Sequence, residues 1–107
     1  MASSYKKSAE MFAALGDETR LQLVAAICEE GPQSIAQLTA GKKITRQAVT
    51  KHLETLQEVG LVHSHQSGRE KIWDLDKKRL QVAQDYLEMI SSQWDRALHR
   101  LKMFVEE

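Results

Sequence analysis

The chain has few of the residues that staple or interrupt a fold. Its single cysteine, Cys28, has no partner for an internal disulfide, which suits a reducing compartment. One proline and five glycines among 107 residues leave little room for irregular structure and argue against an all-β sandwich. No stretch reaches the roughly 18 consecutive apolar residues that a membrane-crossing helix requires. The opening "MASSYKKSAEMF" lacks the long apolar core of a secretory signal. Net charge is also missing: 15 basic and 15 acidic side chains cancel, so bulk charge points to no polyanionic partner. Together these absences predict one cytoplasmic domain over residues 1–107, with no membrane partner. A chain this short keeps much of its surface and often draws stability from a partner.

Charge is present but unevenly placed. Residues 1–31 hold three basic and five acidic side chains, residues 32–73 six and three, and residues 74–107 six and seven. Within Gly41–Leu53 there are four cations and no anion. Such a run is either a plain solvated face or a surface for an anionic partner.

Local signals divide the chain into helices and one hairpin. Residues 8–15, "SAEMFAAL", form a short amphipathic helix that Gly16 breaks. Asp17 is a good N-cap for "ETRLQLVAAICEE", where Leu21, Val24, Ile27 and Cys28 share a side at helical spacing. Cys28 is therefore expected to be a buried, inert thiol rather than a redox switch. Gly31-Pro32 ends that helix. Ser34 and Gln37 make a capping box for a short helix over Ile35–Ala40. Gly41-Lys42-Lys43 is a turn, Thr45 caps a fourth helix over about 45–59, and Gly60 suits its left-handed end, with Leu61 folding back. Leu61-Val62 and Ile72-Trp73 flank the polar turn Gln66-Ser67-Gly68, which predicts a hairpin over about 61–75. From Lys77 to residue 107 nothing breaks a helix. Leu80, Leu87, Trp94 and Leu101 recur every seven residues, as do Ala83, Ile90, Ala97 and Phe104.

The expected fold is therefore mainly α with one β-hairpin. It is a winged helix-turn-helix of five helices with a long C-terminal dimerisation helix. The fourth helix has the make-up of a recognition helix. Val49, Leu53, Leu56 and Val59 give it an apolar back. Arg46, Gln47, Thr50 and Lys51 give it a polar front, crowded into the N-terminal half that meets base edges in helix-turn-helix proteins. Arg and Lys donate to guanine, Gln pairs with adenine, and a Thr methyl packs on the thymine methyl. Lys43 stands just ahead of it. In the wing, Arg69 is placed to reach phosphate or the minor groove and Lys71 to reach the backbone. Phosphate contacts dominate affinity, so the local excess of positive charge outweighs the global zero.

Three segments, "FAALGDETRLQLV", "TRQAVTKHLETLQEVGLV" and "SGREKIWDL", resemble the ArsR/SmtB repressors of bacteria. The first carries that family's "LGDxTRLxIL" opening. The second matches its "(S/T)xxxVSxHLxxLxxxGLV" pattern at Thr45, Val49, Thr50 (for Ser), His52, Leu53, Leu56, Gly60, Leu61 and Val62. The third carries the "GR" of the wing. The resemblance runs from about Ala9 to Leu75 and continues into the last helix. It implies a dimeric repressor of its own or a neighbouring operon that binds a palindromic operator in double-stranded DNA. It also implies contacts from Arg46, Gln47, Thr50, Lys51, His52 and Arg69. His52 is open to two roles, a partly buried residue bonding a phosphate or a base reader.

The sequence also departs from the family. Where many members carry a metal-binding Cys-x-Cys, this chain reads "PQSIAQLTA". Asp95 and His99 share a helix face but lack the further histidines that other members use. His63 and His65 point to one face of a strand and are read as surface groups near phosphate rather than metal ligands. No metal or cofactor is expected, and no residue pattern names an effector.

The last helix is too long for a compact protein of this size, so its apolar seam calls for a second subunit. The expected interface of a homodimer comprises Phe12, Leu87, Ile90, Trp94, Leu101 and Phe104, with Tyr5 and Leu15 of the first helix nearby. Tyr86, Met89 and Met103 join Trp94 as candidates for a ligand pocket, although interface packing is the preferred reading. Two other functions compete. A winged-helix module that holds a protein partner would suit the zero net charge. An enzyme is disfavoured, because no nucleophile has a base beside it in a motif, and no glycine-rich phosphate loop or carboxylate cluster stands out.

Overall fold

The computed structural model describes residues 2–106. Its helices are α1 (Ala2–Leu15), α2 (Glu18–Glu30), α3 (Ile35–Thr39), α4 (Arg46–Glu58) and α5 (Lys77–Glu106). Three short strands, β1 (Gln33–Ser34), β2 (Val62–Ser67) and β3 (Glu70–Leu75), form one antiparallel sheet in the order β1-β3-β2.

Helix boundaries follow the capping residues. The Asp17 carboxylate accepts the Arg20 amide at 3.0 Å and starts α2. Ser34 and Gln37 close the expected capping box, with reciprocal bonds of 3.2 and 2.9 Å. Thr45 accepts the Ala48 amide at 3.1 Å and starts α4. At the other end of α4, Gly60 takes a φ of 79°. The Leu61 amide then bonds the Leu56 carbonyl at 3.0 Å, and the Gly60 amide bonds that of Gln57 at 2.9 Å. This is a Schellman closure, and it buries Leu61 completely. Asp76, a cap that sequence spacing did not single out, accepts the amides of Lys78 and Arg79 and starts α5.

Three expectations are corrected. The first helix begins at Ala2 rather than Ser8, because nothing in "ASSYKK" breaks it. The hairpin gains a third strand, since Gln33 pairs with Trp73 and Ser34 with Ile72. These two polar residues are buried; the Gln33 side-chain amide donates to Glu30 at 2.6 Å, and the Ser34 main-chain amide donates to Gln37. Finally, the inward face of α2 is shifted, although Ile27 is buried and Val24 half-buried as expected. Leu23 and Ile27 are buried, whereas Leu21 and Cys28 are exposed. The thiol is therefore open to solvent.

The core lies where α4 meets the other elements. Val49, Leu53 and Leu56 are fully buried on it, against Met11, Leu23, Ile27, Leu38, Leu61, Val62 and Trp73. Val59, at the end of the same stripe, is half-buried. Burying each such side chain stabilises the fold by about 1.5–3 kcal/mol, which presses the apolar back of α4 inward and leaves its front outside. Tyr5 and Phe12 of α1 both meet Tyr86 of α5, with ring centroids 6.2 and 5.7 Å apart. Beyond that contact α5 runs on alone. The radius of gyration is 18.1 Å, against about 13 Å for a compact chain of this length.

Candidate nucleic-acid interface

The front of α4 is built by the same periodicity that builds its back. With Val49, Leu53 and Leu56 inward, Arg46, Gln47 and Lys51 are left exposed. Thr50 is half-buried, and its hydroxyl donates to the Arg46 carbonyl at 2.8 Å. That bond occupies the hydroxyl hydrogen and leaves the methyl as its free apolar group. Lys42 and Lys43 are exposed in the turn before α4. Among the described residues, none of these cations has a carboxylate within ion-pair distance. Glu54 and Glu58 are exposed one and two turns further on, away from the cationic end.

The wing is tighter than expected. Ser67 pairs with Glu70, so the turn is Gly68-Arg69 rather than Gln66-Ser67-Gly68. Gly68 has a φ of 62°, and among the described residues no residue other than glycine has positive φ. Positive φ at the first central position alone is the pattern of a type II′ turn, which suits the twist of paired strands. Arg69 is thereby exposed at the tip. Lys71 holds its ammonium 5.2 Å from the centroid of the buried Trp73 ring.

His52 is placed differently from its neighbours. It is half-buried, and its Nδ1 lies 3.2 Å from Nη1 of Arg20 and 4.0 Å from a carboxylate oxygen of Asp17. The Arg20 Nε donates to the Ala14 carbonyl at the end of α1. The Arg20 amide, first, and the Arg20 guanidinium hold the Asp17 carboxyl below its usual range. Sequence reasoning noted Asp17 only as a cap and gave Arg20 no role. Their partner lies 32 residues from Arg20, beyond any local pattern.

His63 and His65 are exposed on β2, opposite Asp74 and Ile72. Among the described residues no group of three or more potential ligands could hold a metal. No described helix is long and apolar enough to cross a membrane. On α5, Leu87, Trp94, Leu101 and Phe104 are exposed, while Ile90 and the α1 residue Phe12 are half-buried.

A short helix, a turn, a second helix with a cationic front and a sheet carrying a basic tip define the class: a winged helix-turn-helix. A family described as a helix-turn-helix domain matches residues 15–65. An ArsR-like transcriptional regulator from Rhodococcus is 36% identical and superposes with a TM-score of 0.79 over 95% of both chains. The arsenical resistance operon repressor of Bacillus subtilis is 25% identical over 75 residues, which span 70% of this chain and 71% of that protein. A homodimeric winged helix-turn-helix DNA-binding domain from Mycobacterium bovis is 15% identical, with a TM-score of 0.68 over 86% of this chain and 84% of the other. The chain belongs to the ArsR family of transcriptional regulators and is a DNA-binding regulator, not an enzyme.

Proposed function

We propose that this regulator is a homodimeric repressor that reads an inverted repeat with α4 and the wing. The observation that carries the reading is the outward flank of Arg46, Gln47 and Lys51, set beside Lys42 and Lys43 and free of carboxylate partners among the described residues. Unpaired cations on a rigid helix gain most from a phosphate-lined groove, because each contact releases condensed counterions. In this reading Arg46 and Gln47 reach base edges and Thr50 offers its methyl to thymine. Lys43 and Lys51 bind phosphate or guanine, Arg69 enters the minor groove or meets phosphate, and Lys71 meets the backbone.

The dimer follows from α5. Thirty residues make a helix about 45 Å long at ~1.5 Å per residue. Its apolar seam is bare: Leu87 is 54% exposed, Trp94 64%, Leu101 60% and Phe104 77%. A twofold partner laid along this seam covers it on both copies at once. It also places two α4 helices to meet successive major grooves, roughly 34 Å apart on DNA. The arsenical resistance repressor and the mycobacterial homodimer are relatives whose described behaviour agrees with both halves of the reading.

Selection of bound duplexes from a random pool tests it. The expected product is a palindrome whose affinity falls steeply as salt rises. Recovery of no enriched sequence, or of a single unrepeated half-site, would overturn the reading.

A further inference from the structure

Arg20 touches three parts of the fold at once. Its main-chain amide satisfies the Asp17 cap, and its Nε donates to the Ala14 carbonyl at the end of α1. Its Nη1 stands 3.2 Å from Nδ1 of His52, midway along α4. A guanidinium has no acceptor, so Nδ1 must be the bare nitrogen of a neutral ring whose hydrogen is on Nε2. The Asp17 oxygen, 4.0 Å from the same nitrogen, is beyond hydrogen-bond reach. Arg20 also lines an open groove of about 500 Å³ with Glu10, Thr55 and Glu58, so further charges of α1 and α4 face it.

Apolar contacts hold α4 inward without favouring one crossing strongly, since different helix pairs settle about 15–20° either side of the preferred angles, and a directional bond can select among them. The Arg20–His52 bond is directional, and it acts one residue from Lys51. The α1 helix in turn packs on α5, the helix that carries the exposed seam, through Tyr5 and Phe12. Arg20 is thus a strut between the proposed dimer layer and the proposed DNA-facing helix.

We propose that Arg20 is a positioning residue for operator binding, which fixes the spacing between the two α4 helices by tying the end of α1 and the cap of α2 to neutral His52. This rests on α4 being the DNA-facing helix of a dimer. A rigid pair of helices tolerates one half-site spacing. A loosened pair accepts spacers changed by one base pair, about 3.4 Å of rise.

The experiment uses the full chain and a duplex enriched by the wild-type protein, together with versions whose central spacer is one base pair longer or shorter. The wild type is expected to prefer the enriched spacing by about tenfold or more. Arg20→Ala, Arg20→Lys and His52→Phe should remain dimeric, yet bring the three affinities within about threefold of one another. His52→Asn should keep the wild-type preference, because its side-chain oxygen can accept from Arg20 near the place of Nδ1. A change in folded fraction alone would lower all three affinities by one factor. A folded, dimeric Arg20→Ala protein with wild-type spacing preference overturns the proposal, and so does one weakened equally on all three duplexes. Should Arg20→Ala not fold, equal spacing preferences for His52→Asn and His52→Phe overturn it. Failure of the wild type to enrich any duplex instead sinks the DNA-interface reading, and this one with it.

Discussion

The Phe12 ring lies 5.7 Å from that of Tyr86, tilted by 49°, and this contact marks the end of the cover that α1 gives α5. Past Ile90, the large apolar side chains Trp94, Leu98, Leu101, Met103, Phe104 and Val105 are all exposed. A patch of that extent on a DNA-binding regulator fits the second copy proposed above. Replacing Trp94 with Glu puts a charge into the middle of the seam, where it would be desolvated without a partner. The Trp94→Glu variant is expected to sediment as a monomer and to bind operator at least tenfold more weakly, by roughly 1.4 kcal/mol or more. A variant that sediments like a wild-type dimer would remove α5 from the interface.

Arg46 and Lys51 share the front of α4 but are expected to fail differently. Arg46→Ala should cost about 1–3 kcal/mol and relax the preference at one base position of each half-site. If Lys51 meets phosphate, Lys51→Ala should weaken all sequences alike and lower the salt slope by about one for each phosphate left without its cation. Fluorescence anisotropy on matched and single-base-changed duplexes, at two or more salt concentrations, separates the two. Unchanged affinity in both variants would exclude this flank from the interface.

Gly60 closes α4 with a φ of 79°, and a Cβ there would come within 3.0 Å of the Arg79 Nε. Left-handed backbone costs a non-glycine residue about 1–2 kcal/mol, while the Arg79 side chain can swing away. Gly60→Ala should therefore lower unfolding free energy by about that amount in denaturant titrations, and adding Arg79→Ala should restore little of it. Full recovery in the double variant would assign the cost to collision rather than to backbone.

Asp17 links stability to acidity. Its carboxyl is held below the usual range by the Arg20 amide first, then by the Arg20 guanidinium. A group with a lowered folded-state value adds stability that is present above its unfolded value, about 3.9, and lost as pH falls through the folded one. Asn still caps a helix but carries no charge. Asp17→Asn should thus melt below the wild type near neutral pH and approach it below about pH 4. Parallel melting curves across that range would show that the carboxylate charge contributes nothing.

Much of this could be read along the chain, and the exceptions share a cause. The caps at Asp17, Ser34 and Thr45, and the end at Gly60, rest on atoms at most five residues apart, so sequence spacing reveals them. In α2 helical spacing permits either Leu21 with Cys28, or Leu23, to join Ile27 on the inward side. Only the assembled core, in which Leu23 and Ile27 are both buried, selects Leu23. The strand Gln33–Ser34 is too short and polar to announce itself, and it exists because β3 offers an open edge.

The amino-acid order alone settled where α2, α3 and α4 start and where α4 stops. It also settled that α4 carries oil on one side and cations on the other, because both depend on interactions within a few residues. Tertiary structure decided which side of α2 meets the core, that the wing has a third strand, and that Arg20 finds His52. Those choices join groups far apart in the chain, and only the packing of whole elements brings such groups within bonding distance.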